Sequence, residues 1–210
     1  MASETAGTRR PGGRTERTRI AVLQATLDLL AERGFTNLTV EAVAERSGVH
    51  KTTIYRRWAS TDGLVAAALR MGTEQPWTPP DTGSLAGDLR EVLLELVRYF
   101  TEPDLRELPT ASVLAAFHSE SAAEALHAFY QDRHERSAVL VTRAVARGEV
   151  PAGTDPDEVI RVASGPIFYR LFISREPLTP VDARTAADAA AAAAEAGVFV
   201  RKGRGGDIRG

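Results

Sequence analysis

The sequence predicts an all-α chain of about nine helices, and three features predict it. Apolar residues recur at three- and four-residue spacing through most of the chain, alternating strand-type patterns are nearly absent, and proline, glycine or capping residues stand at almost every boundary between periodic segments.

Residues 1–15 are rich in arginine, glycine, serine and threonine without periodicity, and read as a flexible basic arm. The first helix is expected from Arg17, with Ile20, Leu23, Leu27 and Leu30 on its inner face and Gly34 as its stop. Thr39 is a good N-cap for a short second helix that turns Val40, Val43 and Ala44 inward and ends at Ser47-Gly48. A third helix follows from Lys51 to Trp58, with Ile54 and Trp58 one turn apart on a buried side, and Ser60, Thr61 and Asp62 offer caps for a fourth. The Pro-, Thr- and Gly-rich stretch from Gln75 to Gly83 is a loop. Longer helices are expected over Ser84 to Thr101, Asp104 to Phe117, Ser119 to Gly148, Asp157 to Ser174 and Thr179 to Ala196, broken at Pro103, Pro151 and Pro177. Residues 198–210 read as a flexible tail. The organisation is then an arm (1–15), a helix-turn-helix domain (16–62), a larger helical domain (63–197) and the tail.

Composition narrows the function classes. With 43% hydrophobic and 26% charged residues the chain is an ordinary globular one. No apolar run approaches the ~18 residues of a membrane span, and Met1 to Arg19 lacks the apolar segment of a secretory signal, so a cytoplasmic protein with no membrane partner is expected. The lack of cysteine excludes disulfides and thiolate metal sites. Net charge is only -2, but residues 1–60 hold ten Lys or Arg against six acids, a net of +4, while the remainder is net -6. A small basic module on a larger acidic one fits phosphate binding by the first; on charge alone an unevenly solvated surface would serve as well.

The stretch from Leu38 to Trp58, LTVEAVAERSGVHKTTIYRRW, decides between them. Two short helices separated by a glycine turn, with their apolar positions inside, have helix-turn-helix spacing. With Ile54 and Trp58 inward, Thr52 and Arg56 point outward, Thr53 and Tyr55 lie on the flanks, and Lys51 sits in the first turn, which enters the groove of double-stranded DNA. Arginine pairs bidentately with guanine, threonine offers a hydroxyl or methyl to base edges, and Lys51 and Tyr55 suit phosphate oxygens. Thr39 both caps the supporting helix and suits a phosphate. The competing reading is a generic helical hairpin with a solvated basic face.

At these residues the chain resembles the tetracycline-repressor (TetR) family of regulators. Leu38-Thr39, Val43-Ala44, Ser47-Gly48-Val49, Lys51, Ile54-Tyr55 and Trp58 follow that family's pattern, as does Leu64 after the next cap. The resemblance covers Arg17 to Leu69 by motif, and the remainder by length and helix count. It implies a homodimeric regulator, by default a repressor, that binds a palindromic operator and whose C-terminal helices take a small-molecule effector. Arg57 stands where many members have histidine, and Thr61 where a phosphate-contacting lysine is frequent; Arg57 is expected to supply a phosphate contact instead. His50 replaces a frequent serine at the turn, where capping the third helix is its expected role.

For the effector, Phe100, Phe117, Phe129, Tyr130, Phe168 and Phe172 are candidate pocket walls with His118, Arg133 and His134 as polar anchors, although aromatics at helical spacing fill cores more often than they touch ligands. For the dimer interface, the final two helices are expected to use Ile167, Leu171, Ala183, Ala187, Ala190 and Ala194, because a helix apolar on several sides needs several partners and small side chains allow close approach. No cofactor or metal is expected: His127 and His134 are two turns apart on one face, about 10 Å, too far to share an ion. The alternative class, a helical enzyme or a protein-interaction module without DNA binding, needs converging acids or histidines, and spacing supplies none.

Overall fold

The computed structural model describes residues 13–71 and 77–201, which form nine α-helices. They are α1 (Gly13–Arg33), α2 (Val40–Ser47), α3 (Lys51–Trp58), α4 (Thr61–Met71), α5 (Leu85–Thr101), α6 (Glu107–Ala116), α7 (Glu120–Arg147), α8 (Pro156–Phe168) and α9 (Pro180–Glu195). The all-α expectation holds, and the expected boundaries of α2, α3, α5, α7 and α9 agree with the structure to within about two residues. Thr39, Ser84 and Thr179 sit at the N-caps of α2, α5 and α9, each with the β-region backbone that lets its side chain turn back on the first turn. Thr179 and Asp182 complete a capping box.

By compactness the chain divides into two units. One holds α1 to α4 together with residues 110–126, and the other holds residues 75–109 and 127 onward. In the first, α1 packs against α2 and α4, and α3 against α2 and α4. The buried face of α1 is Val22, Leu23, Ala25, Thr26, Leu29 and Leu30. Ile20, expected on that face, is 47% exposed, because the buried stripe is centred on Val22 and Thr26 and Ile20 falls toward the opposite side. The helix also begins earlier than expected, at Gly13. The other residues of the basic arm lie outside the described residues.

In the second unit α9 packs against α5 and α8 around a core of Leu85, Leu89, Leu93, Leu140, Val159, Ile160 and Ile167. Here the dimer expectation is corrected. Ala183, Ala187, Ala190 and Ala194 of α9 are each fully buried against α5 and α8 within this chain, and Ile167 of α8 is fully buried in the same core. They present no surface to a partner in this fold, and their small size serves close approach of helices within the chain. Leu171 is half-buried against the same core. Arg90 of α5 pairs with Asp188 of α9 at 2.6 Å over this contact.

The helix expected to run unbroken from Asp157 to Ser174 changes character near its end. Pro166 lies inside α8, lacks an N–H and presses on the preceding turn, and residues Tyr169–Ser174 continue as a wider π-helical segment. Residues 198–201, expected to fray, are tied down: Thr154 and Val200 form an antiparallel bridge, Asp155 N–H donates to the Phe199 carbonyl, and Arg201 pairs with Asp155 at 2.7 Å. The later tail lies outside the described residues. Ala190→Leu is expected to cost about 1–3 kcal/mol of stability through overpacking of α9 on α5; an unchanged urea midpoint would show the contact to be loose.

Candidate nucleic-acid interface and aromatic cluster

Helix α3 is two turns long, and its placement comes from both ends. At its start the His50 imidazole is the N-cap, accepting the Thr52 N–H, as the sequence suggested. Upstream, Gly48 ends α2 in the left-handed region at φ 67°, a conformation that favours glycine, and the Ser47 hydroxyl accepts the Val49 N–H at 3.3 Å. Arg46 of α2 holds Glu32 of α1 by a two-pronged pair at 2.8 and 2.7 Å, which fixes the direction of the supporting helix.

The far end of α3 is the part sequence reasoning missed. Ala59 sits at φ 61°, ψ -42°, with its N–H donating to the Tyr55 carbonyl, while Ser60 N–H donates to the Trp58 carbonyl at 2.7 Å. That is a tight three-residue turn with a left-handed centre, unfavourable for a residue with a Cβ. It is tolerated because α4 closes on it. A Cβ on Gly63 would lie 2.1 Å from the Trp58 carbonyl oxygen, so α4 starts hard against the end of α3 only because residue 63 has no side chain. A glycine in the first turn of an otherwise apolar helix, where it costs about 1 kcal/mol against alanine, was the available signal.

Between these ends Ile54 is buried at 1% exposure. Lys51, Thr52, Tyr55, Arg56 and Arg57 are exposed, Thr53 is half-buried, and Thr39 is exposed at the start of α2. The expected outward face is therefore free as a set. Thr39 accepts the Ala42 N–H at 3.2 Å. The Arg57 guanidinium lies over the Trp58 ring at 5.1 Å, so this arginine is steadied on an indole.

In the second unit five of the expected pocket residues come together. Phe100 meets Phe168 and Phe172 edge-to-face at 5.8 and 5.7 Å, Phe168 and Phe172 stack at 6.4 Å, Tyr130 meets Phe168 at 5.7 Å, and Phe129 meets Tyr130 at 5.4 Å. Phe100 is buried, whereas the other four are only half-buried. A polar end adjoins them. Arg133 stacks on Trp77 at 4.2 Å, and Glu95 takes both Arg133 at 3.2 Å and the Trp77 indole N–H at 2.9 Å. Burial pushes the Tyr130 phenol up to about 12 and raises Tyr99, with the Arg133 charge opposing both shifts, so both hydroxyls remain donors. Glu95 and Tyr99 were not anticipated; both lie on α5 near Phe100, and only folding brings that edge of the helix to Arg133.

Phe117 and His118 do not join this cluster. They belong to the first unit, where Phe117 is 78% exposed and His118 stacks on Phe35 at 6.1 Å. Exposure on that scale leaves the Phe117 ring lining no interior, which corrects its expected place with the other rings.

His134 is half-buried, and burial holds its pKa below the ordinary histidine value of 6.5, aided by Arg161 and opposed by Asp157. A lowered histidine pKa means the folded chain binds fewer protons than the unfolded one, so stability from the neutral ring is full above the unfolded value and is lost as pH falls below it. His134→Gln should therefore lessen the fall in urea midpoint between about pH 7 and about pH 5; an identical pH profile would remove His134 from the account.

Comparison with known proteins divides the chain into an N-terminal and a C-terminal match. Residues 22–68 match the profile of the bacterial regulatory proteins of the tetR family, and residues 79–190 match that of the tetracyclin repressor-like C-terminal domain. The chain is 33% identical over 165 residues to the HTH-type transcriptional regulator YdeS of Bacillus subtilis, covering 77% of this chain and 81% of that one. It is 29% identical over 165 residues to the DNA-binding transcriptional repressor TetR of Mycobacteroides abscessus, covering 72% and 80%. The solved structure of SmeT, the repressor of the Stenotrophomonas maltophilia multidrug efflux pump SmeDEF, shares the fold with a TM-score of 0.60 at 20% identity over 89% of this chain and 94% of that one.

Proposed function

The chain belongs to the TetR family of helix-turn-helix transcriptional regulators, and from that premise we propose that it is a ligand-responsive repressor, bound to a palindromic operator as a homodimer and released by a small, mostly apolar effector. The observation that carries this reading is the free face of α3: five exposed DNA-compatible side chains on a helix whose inner side is pinned by Ile54, a capping histidine and the Gly63 corner. Residues 16–62 then form the reading domain, and residues 63–197 serve the effector and the second copy, in the cytoplasm. Lys51, Tyr55, Arg57 and Thr39 take phosphates, while Thr52, Thr53 and Arg56 face base edges. A helical enzyme is the weaker reading, since the family and its named relatives are transcriptional regulators.

The half-buried ring cluster supports an effector site. Three half-buried phenylalanines, Phe129, Phe168 and Phe172, beside the phenols of Tyr99 and Tyr130 and the Arg133 guanidinium suit an apolar molecule with one polar edge. Such a molecule needs only to prefer a conformation in which two reading heads are wrongly spaced; operator affinity then falls by the size of that preference.

The dimer surface is reassigned to the outward stripes of α8 with the π-helical segment that follows it, and of α9. Val162, Tyr169 and Ile173, at spacings of seven and four residues, are 44%, 57% and 69% exposed, and Val181 is 61% exposed at the head of a second stripe continued by the exposed Thr185, Ala189 and Ala192. Exposed apolar groups in stripes of this kind, flanked by small side chains, favour an isologous contact.

Selection of duplexes from a random pool tests the whole reading, with enrichment of a palindrome expected and enrichment of nothing against it. On the selected operator Arg56→Ala should weaken binding by about 1–3 kcal/mol and relax the preference at one position in each half-site; equal affinity at matched salt removes Arg56 from base reading. The double variant Ile173→Glu, Val181→Glu should sediment as a folded monomer with much weaker operator binding, whereas a dimer with intact affinity would place the interface elsewhere.

A further inference from the structure

At the start of α3 two donors converge on one acceptor. The Thr52 backbone N–H reaches the His50 Nδ1 at 3.4 Å, and the Thr52 Oγ1 lies 3.0 Å from the same nitrogen. A backbone N–H can only donate, so Nδ1 carries a lone pair and the proton of the neutral imidazole is on Nε2. A nitrogen without a proton cannot donate in turn. The 3.0 Å contact is therefore made by the Thr52 hydroxyl proton. That proton is the only one the hydroxyl has. What the exposed Thr52 presents outward is a pair of oxygen lone pairs and a methyl group.

We propose that His50 is a positioning residue that makes Thr52 an acceptor-only reader, so that each half-site carries adenine or cytosine at the position facing Thr52, recognised through its exocyclic amino group. In the major groove adenine N6 and cytosine N4 donate, whereas the guanine O6 and N7 and the thymine O4 accept. A threonine hydroxyl free to rotate satisfies either kind. Held by His50, it satisfies only the donors. A serine in the capping position would impose no such polarity, because its own hydroxyl both donates and accepts. The assignment rests on the operator-binding reading above and adds to it the class of base that one side chain selects.

Operators are selected from a random duplex pool with the full chain in four forms: wild type, Thr52→Val, His50→Ala and His50→Asn. The wild type should show one position per half-site restricted to adenine or cytosine. Thr52→Val keeps the shape and removes the hydroxyl, and should lose about threefold to tenfold preference at that position alone. His50→Ala still carries Thr52 and should admit guanine and thymine there. His50→Asn, whose side-chain carbonyl accepts the same two protons, should restore the restriction. Replacing a selected adenine there by purine, which lacks the amino group, should weaken the wild type by the same factor and leave Thr52→Val unaffected.

A uniform loss of affinity in His50→Ala, with base preference unchanged, would make His50 a helix cap and nothing more, and overturn the assignment. So would a Thr52→Val variant that alters no position, or a wild type that prefers guanine or thymine where Thr52→Val acts. Thermal melting confirms that the alanine variant is folded; if it is not, the contrast between the valine and asparagine variants decides. Failure of the wild type to enrich any duplex would overturn the regulator reading itself, which a palindrome lacking this base restriction would leave standing.

Discussion

Two helical turns do not hold their shape in water, because the few hydrogen bonds they make cannot offset the cost of nucleating a helix. Helix α3 has eight residues, and Lys51, Thr52, Thr53, Arg56 and Arg57 among them are polar or charged. Its form therefore depends on what holds it from outside. The buried Ile54 anchors its centre, His50 caps its start, and the turn at Ala59 with Gly63 behind it fixes its end. The first unit is organised around this constraint: α1 supplies the apolar floor, α2 is steered by the Arg46–Glu32 fork, and α4 closes on the exit. Rigidity of the inner side is what lets the outer side be devoted to recognition, since a side chain can discriminate between bases only if its backbone does not follow the wrong one.

The second unit meets a different constraint with different side chains. Alanine at Ala183, Ala186, Ala187, Ala190, Ala191 and Ala194 brings α9 close to α5 and α8, and it also suits the helix intrinsically. Large side chains are then concentrated on α5, α7 and α8, where Leu89, Leu93, Leu140 and Ile167 fill the core. The rings of Phe168 and Phe172 stand at the passage from α8 to the wider π-helical segment. A wide turn there rotates the residues after Pro166 relative to a continuous α-helix. Ile167 ends in the core, while Tyr169 and Ile173 of the segment that follows are exposed.

Much of this was legible in the sequence, for identifiable reasons. Helix boundaries were readable because Thr39, Ser84 and Thr179 are capping residues and Gly34 and Gly48 are stops, and such local chemistry acts within a few residues of chain. The outward face of α3 was readable because Ile54 and Trp58, one turn apart, set the helix phase, and Ile54 is buried. The face of α9 was not. Alanine occupies both the buried and the exposed sides of that sixteen-residue helix, so composition there carries no phase, and the stripe assigned to a partner chain proved to be the stripe facing α5. Phe117 was misplaced for a related reason: an aromatic at the end of a helix belongs to whichever unit its turn joins, and no local signal says which. Glu95 and Trp77 meet Arg133 only through folding across α5 and α7, a relation that spacing along one helix cannot express.

Charge completes the account of the reading head. A chain of net charge -2 is not drawn to DNA as a whole, yet its first sixty residues are net +4. At physiological salt, charges farther than about 8 Å from a phosphate are largely screened. If α3 seats on a duplex as proposed, what acts there is the exposed set Lys51, Arg56 and Arg57, and the acidic excess elsewhere weighs little. At low salt that screening is withdrawn and the same excess opposes approach. On the proposed reading, segregating the two signs along the chain ties attraction to a correctly presented α3, so that affinity follows the placement of one short helix rather than the bulk charge of the protein.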